Sequence, residues 1–445
     1  MTADLEGTLH LLREFHPAHA FGKVTKVVGL VAEGRGIKAA LGSVCQLLPD
    51  ENGRQVINAE VVGFRDDVML LMPYGEMRGI RPGSLIRNTN TPPHFPVGNR
   101  YLGHAVDAFG QPLDPGTIIQ PARYNPLHTD PPNPLTRPRI TEPLDVGVRA
   151  INGLLTLGKG QRIGIMAGSG VGKSTLMGMF ARYTAADVNV IGLIGERGRE
   201  VLDFIEKDLG PEGLARSVLV VATSDQGPLV RMRAAYAATA MAEFFRDQGK
   251  DVLLMMDSVT RFAMAAREVG LAAGEPPTTR GYTPTVFSHL PRLLERAGRS
   301  NKGSITGIYT VLVEGDDFNE PVADAVRSIL DGHIVLTREL ADQGHYPSID
   351  VLKSVSRLAS DVTPAPVLAA GRNLVRHLAT FKRVEDMVNI GAYAPGTNPE
   401  IDQALDMIQP IRAFLQQNID ERSTLNDAFD ALQKLTAHRS VRPRT

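Results

Sequence analysis

The chain has 445 residues, 43% hydrophobic and 22% charged, with 48 Lys plus Arg against 49 Asp plus Glu for a formal net charge of -1. That length exceeds one core and implies two or three domains. The charge balance argues against a globally basic nucleic-acid binder, and the single cysteine, Cys45, excludes an internal disulfide and a cysteine-based zinc site.

The start, "MTADLEG", is polar and acidic, unlike a signal peptide, and no apolar run approaches the roughly 20 residues that span a bilayer. The expected location is cytoplasmic, with any membrane link made through partners. Leu5, Leu9, Leu12 and Phe15 share one face of a short helix, weakened by Gly7. It reads either as a cap on the next domain or as a docking helix. From about 20 to 90, β-rich runs such as "GKVTKVVGLVAEG", "VINAEVVGF" and "DVMLLMPY" alternate with turn residues, which predicts a small closed β-barrel. A nucleic-acid barrel needs stacking aromatics in a basic groove. Only Phe15, Phe21, Phe64 and Tyr74 lie nearby, so a structural or assembly role is favoured.

Two Pro-rich stretches follow, "NTNTPPHFPVGNR" and "YNPLHTDPPNPLTRPRITEPL". Beyond them the apolar runs "QRIGIMA", "VNVIGLIG", "SVLVVAT", "DVLLMMD" and "SITGIYTVLV" alternate with helical patterns, among them "LVRMRAAYAATAMAEFFRDQG". Continuous apolar strands between helices imply a parallel sheet covered on both faces. Past about 362 the strands stop. Ile401, Leu405, Ile408, Ile411, Leu415 and Ile419 keep helical spacing across a break or kink at Pro410, and Ser423 is placed to cap a last helix carrying Leu425, Phe429, Leu432 and Leu435. The expected domains are 1–91, a segment plus barrel; 92–361, an α/β nucleotide-binding domain; and 362–445, helical.

The chemistry centres on "AGSGVGKST" between a strand and a helix. It matches G-x-x-x-x-G-K-[ST] with Ala167 in the first glycine position. Gly168, Ser169, Gly170, Val171 and Gly172 let successive backbone N–H groups curl around phosphate oxygens, and the following helix, with Thr175 in its first turn, points its positive end at the same anion. Lys173 is placed to reach the β- and γ-phosphates and the Ser174 hydroxyl to bind magnesium. Asp257, ending "DVLLMMD", fits the acid that holds magnesium through water. Ser258 follows it where many ATPases carry a catalytic Glu. The candidate base is instead Glu196 in "VIGLIGERGRE", with a salt bridge to Arg197 or Arg199 as the alternative. Arg357 in "SVSRL" is either a solvated arginine or a cation supplied to another subunit's site, and Tyr346 in "GHYPSID" either stacks on adenine or marks a surface turn.

Together, "AGSGVGKS", "GERGRE", "LLMMDSVTRFA", "GEPPTTRGYTPTVFSHLPRLLERAG", "EGDDFNEPVAD", "LDGHIVLTREL" and "GHYPSIDVLKSVSRL" resemble the catalytic subunits of the rotary ATP synthase superfamily, from about residue 20 to the end, and more closely the ATPases of type III protein export. "VNIGAYAPGTNPEIDQAL" and "DDFNEPVAD" look like the flagellar branch rather than the virulence injectisome. The resemblance implies a β-barrel, a RecA-like ATPase core and a helical C-terminal domain in a homohexamer hydrolysing ATP with Mg2+ between subunits. By resemblance Lys173 and Ser174 hold phosphates and magnesium, Glu196 is the catalytic carboxylate and Asp257 the magnesium acid. Arg197 and Arg261 match arginines near the phosphates, Tyr346 the adenine-stacking residue and Arg357 the finger into the neighbouring site. The implied partners are a regulator at the N-terminal end, a central stalk protein, chaperone–substrate complexes and, indirectly, a membrane export gate, at the cytoplasmic face of the flagellar basal body. Rival readings are a rotary synthase catalytic subunit and a hexameric RNA translocase. The first would divide its roles between two kinds of subunit, whereas this chain carries both Glu196 and Arg357. The aromatic-poor barrel counts against the second.

Overall fold

The structure is a computed structural model and describes residues 20–437 except 50–54, 314–316 and 319. The amphipathic run Leu5–Phe15 lies outside the described residues. The chain forms two compact units, one of residues 1–93 with 268–276, the other of 94–267 with 277–445.

In the first unit, six strands close into an antiparallel barrel: β1 (Phe21–Val28), β2 (Val31–Arg35), β3 (Val44–Leu48), β4 (Ile57–Arg65), β5 (Val68–Pro73) and β6 (Leu85–Asn88), in the order β1-β2-β5-β4-β3-β6. Alternation decides which side chains go inside. Ile57, Ala59 and Val61 of β4 join Val24, Cys45, Leu47, Leu71 and Ile86 in the interior, while Asn58 between them is exposed. No aromatic residue belongs to this core among the described residues; Phe21 and Phe64 are exposed. The sequence marks four of the six strands. The short β3 and β6 carry too little alternation to stand out.

The second unit is built on a sheet whose strands are β7 (His104–Val106), β8 (Arg162–Ala167), β9 (Val188–Ile194), β10 (Ser217–Ala222), β11 (Asp251–Asp257), β12 (Ser304–Leu312), β13 (Gly332–Leu336) and β14 (Val355–Ser356). Their order is β14-β13-β8-β12-β11-β9-β10-β7, parallel except for β14, with Gly298–Arg299 added antiparallel to β12. Every residue of β9 and β10 is buried, as a sheet covered on both faces requires. The unit's helices include α1 (Lys173–Tyr183), α2 (Pro228–Arg246) and the first part of α3 (Val259–Ala273).

Three C-terminal helices follow: α4 (Ala365–Asn389), α5 (Pro399–Leu415) and α6 (Leu425–Ala437). They share an apolar core with the sheet, where Leu374, Ile411, Phe414 and Leu432 join Ile151, Phe180 and Ile165. Two local expectations change. Helix α5 runs through Pro410 but ends at Leu415, so Ile419 lies beyond it. The cap of α6 is Thr424 rather than Ser423: Thr424 Oγ1 accepts from the Asp427 amide at 3.2 Å, and Asp427 Oδ2 accepts from the Thr424 amide at 3.1 Å. Ser423 is buried, its amide bonded to the Gly147 carbonyl and its carbonyl to Asn152 Nδ2, which commits it to the core. Among the described residues no helix is long and apolar enough to cross a membrane.

Candidate active site

The loop Gly168–Gly172 leaves the carboxyl end of β8, a central strand of the sheet, and runs straight into α1. Ligands of open α/β sheets bind at such strand ends. Two positive φ angles make the curl, +77° at Gly170 and +90° at Gly172, in the left-handed region that glycine enters without a Cβ clash. Among the described residues no side chain caps the first turn of α1, so its amides remain available to an anion. At the far end Arg216 donates to the carbonyls of Ala181 (2.7 Å), Arg182, Thr184 and Ala186, satisfying the orphan acceptors and anchoring the helix. The loop is tied down as well. Arg338 Nη2 donates to the Ser169 carbonyl at 2.9 Å, Ser348 Oγ to the Val171 carbonyl at 2.6 Å, and the Val313 amide to the Ala167 carbonyl at 3.0 Å.

The loop residues Ala167–Gly172, Val313 and Arg338 wall a cleft of about 620 Å³, together with Lys173, Ser174, Thr175, Glu196, Arg197, Glu200 and Arg261. Lys173 Nζ donates to Asp257 Oδ1 at 2.5 Å and lies 3.7 Å from Glu196 Oε1, and all three side chains are mostly buried. Glu196 follows the end of β9, as Asp257 ends β11, so two neighbouring strand ends bring both carboxylates to the lysine. Burial pushes the Glu196 carboxyl up to about 7. The Asp257 charge and a hydrogen bond with Glu200 act in the same sense, and the Lys173 charge opposes them. Glu200 is held below the ordinary carboxylate range, first by that same hydrogen bond.

Arg261 lays its stem over Gly195, where φ is +74° and a Cβ would come within 3.0 Å of Arg261 Cβ. Its Nε is buried without a hydrogen-bond partner among the described residues. Arg197 points outward and pairs with Glu200 at 3.5 Å. Tyr346 is half-exposed, and its ring lies 3.7 Å from where a Gly172 Cβ would stand. The fold therefore gathers Lys173, Ser174, Glu196, Asp257, Arg197, Arg261 and Tyr346 about one loop. Arg357 is not gathered. It follows β14, whose Ser356 pairs with Gly332 at the start of β13, whereas the phosphate loop adjoins Leu336 at that strand's other end. Four residues of strand separate the two levels by about 13 Å. Arg357 instead donates to the Arg327 carbonyl at 3.4 Å.

Glu200, Arg338, Ser348 and Thr310 are cleft or supporting residues that the motifs miss. None left a signal by residue type; even Thr310 shares its strand with the hydroxyl residues Ser304 and Thr306.

A glycine loop at a central strand end, a lysine clamped between two carboxylates and an uncapped helix start define a P-loop ATPase core, here joined to a six-stranded barrel and C-terminal helices. Residues 24–90 match the β-barrel domain of the ATP synthase alpha/beta family, 147–356 its nucleotide-binding domain, and 363–434 the T3SS EscN ATPase C-terminal domain. The chain belongs to the ATP synthase alpha/beta family and is an ATP hydrolase of its export branch. It is 54% identical over 420 residues to the flagellum-specific ATP synthase of Bacillus subtilis, covering 94% of this chain and 95% of that protein. It is 50% identical to the type 3 secretion system ATPase of Xanthomonas euvesicatoria, covering 94% of each. The structure of the assembled ATPase EscN from the enteropathogenic E. coli type III secretion system superposes with a TM-score of 0.89 at 46% identity, over 93% of this chain and all of that one. EscN in complex with its central stalk EscO gives a TM-score of 0.86 at 45% identity, with the same coverage.

Proposed function

We propose that this chain is the ATPase of a flagellar type III export apparatus, working in the cytoplasm as a ring of six copies on the cytoplasmic face of the basal body. The observation that carries the chemical part is the cluster of Lys173, Asp257 and Glu196 at the phosphate loop. The flagellar assignment rests on relatives named flagellum-specific ATP synthase, at 54%, 52% and 49% identity over more than nine-tenths of the chain.

The cleft suits magnesium and a triphosphate. Free amides at the α1 start, the Lys173 ammonium and the unpartnered Arg261 Nε supply donors, and the exposed Ser174 hydroxyl and the Asp257 carboxylate supply hard oxygen ligands. Magnesium held by Ser174 and, through water, by Asp257 would supply neutralising charge on the phosphates. The backbone of Ala167–Gly172, with Thr175 beside it, cradles the phosphates, Arg197 and Arg261 flank them, and Tyr346 stacks on the adenine. Glu196, as a carboxylate, takes the proton of the attacking water. A base of this kind contributes about 10²–10⁴-fold. Arg357 lies at the wrong end of the sheet for its own loop, so it serves the site of an adjacent copy, where such arginines contribute about 10³–10⁵-fold. A stalk protein in the ring, a regulator at the N-terminal segment, chaperone–substrate complexes and an indirect link to the membrane export gate complete the apparatus. Nucleic acid is not a partner.

The test is complementation between inactive chains. Lys173→Ala and Arg357→Ala are each expected to abolish turnover. Mixed, they form some interfaces that pair an intact loop with an intact arginine, and part of the activity returns. No recovery, together with specific activity independent of protein concentration, would show a self-contained site.

A further inference from the structure

We infer that Thr310 is a positioning residue that sets the orientation of the Asp257 carboxylate for magnesium; this rests on the assignment of Asp257 as the magnesium acid. Thr310 lies on β12, between β8 with its phosphate loop and β11 with Asp257. Its side chain is fully buried, one of three buried hydroxyl side chains on that strand with Ser304 and Thr306. A buried hydroxyl without a partner is costly, so its single proton must go to an acceptor. Two are in reach: Asp257 Oδ1 at 2.6 Å and the Met256 carbonyl at 3.3 Å. The shorter contact is to an ionised oxygen, in the range of a charge-assisted hydrogen bond, and takes the proton.

Asp257 Oδ1 therefore receives two donors, Thr310 from the sheet and Lys173 Nζ at 2.5 Å from the loop helix. Oδ2 takes no hydrogen bond from any described residue. A carboxylate held on one oxygen by the lysine alone can rotate about its Cβ–Cγ bond. The threonine, fixed by a β-strand and by its own branched rotamer, removes that freedom and leaves one defined oxygen for the cation. Lys173 alone does not suffice, because its ammonium must also serve the phosphates.

The experiment measures equilibrium binding of a fluorescent ADP analogue to the full chain, with magnesium and with EDTA, beside kcat and KM. Thr310→Val keeps shape and removes the donor; Thr310→Ser keeps the donor. Loss of one hydrogen bond to a charged group corresponds to about 10-fold or more. The expected result for Thr310→Val is a magnesium-dependent gain in nucleotide affinity reduced about 10-fold, with kcat falling in parallel. Affinity in EDTA should be unchanged, and Thr310→Ser should restore both quantities. Thr310→Ala provides a second donor-free variant if valine impairs folding. Affinity lost equally with and without magnesium, or wild-type magnesium dependence in a folded donor-free variant, overturns the inference. Asp257→Asn separates the two layers. If it abolishes the magnesium gain while Thr310→Val does not, only the role of Thr310 fails. If it leaves the gain intact, the role of Asp257 falls and that of Thr310 with it.

Discussion

Replacing Glu196 by glutamine should make the folded protein more stable at neutral and alkaline pH while removing its activity. The carboxyl is raised from an ordinary 4.5 to about 7. Folding therefore favours its protonated form. Below about pH 4.5 the group is neutral in both folded and unfolded chains and costs nothing. As pH climbs toward 7 the unfolded chain ionises freely while the folded one resists, so stability falls, and above 7 the penalty is constant. A gap of that size is worth at most about 3 kcal/mol at 1.36 kcal/mol per unit. Residual exposure of 14% and the proton shared with Glu200 reduce this to about 1–2 kcal/mol. At roughly 2 °C per kcal/mol for a chain this large, Glu196→Gln should melt about 2–4 °C above wild type at pH 8, with the two coinciding near pH 4.5. Lys173 keeps its partner in the variant, because Asp257 is the nearer carboxylate. The assay is thermal unfolding without nucleotide at several pH values and one scan rate. A variant that melts below wild type at pH 8, or a difference independent of pH, would refute the reasoning.

The same carboxyl governs rate. Turnover should fall about tenfold per pH unit below an apparent pKa of about 7, and a rate flat from pH 5.5 to 8 would remove Glu196 as the base. In Glu196→Gln, hydrolysis should drop by about 10²–10⁴-fold while a fluorescent nucleotide still binds, because the loop amides and Lys173 remain. Arg296 is 1% exposed, donates through Nε and Nη2 to both oxygens of Glu243, and through Nη1 to the Leu127 carbonyl. Arg296→Met strands a buried carboxylate and should cost about 3–5 kcal/mol, read as a lowered denaturant midpoint; a shift under 1 kcal/mol would show the site is wetter than its burial implies.

The central strands were legible because a sheet covered on both faces leaves no polar side: "VNVIGLI" and "SVLVVA" have nowhere to put a charge. The loop was legible because phosphate binding demands glycine at positions fixed by backbone geometry. Less could be read where a residue acts through position alone. Nothing in "SVSRL" tells which end of a sheet Arg357 occupies, since that follows from the pairing of Ser356 with Gly332. Ser423 and Thr424 are equally good caps by residue type, and only the burial of Ser423 against Gly147 and Asn152 decides between them. The neighbours of Glu196 were equally hidden: Arg197 turns to Glu200, and Lys173 and Asp257 set the environment of Glu196.

The placement of Arg357 at the opposite end of the sheet from its own phosphate loop has a consequence for the cell's nucleotide pool. On the proposed reading each chain carries two incomplete halves, and a working site exists only where two copies meet. Newly made copies diffusing singly would bind ATP yet hardly consume it, and hydrolysis would begin only where copies gather. Assembly is then itself the on-switch, with no separate inhibitor required to silence the unassembled pool. A minority of chains defective at either half would also silence sites belonging to sound neighbours, so a partial defect in the population would be felt out of proportion to its abundance.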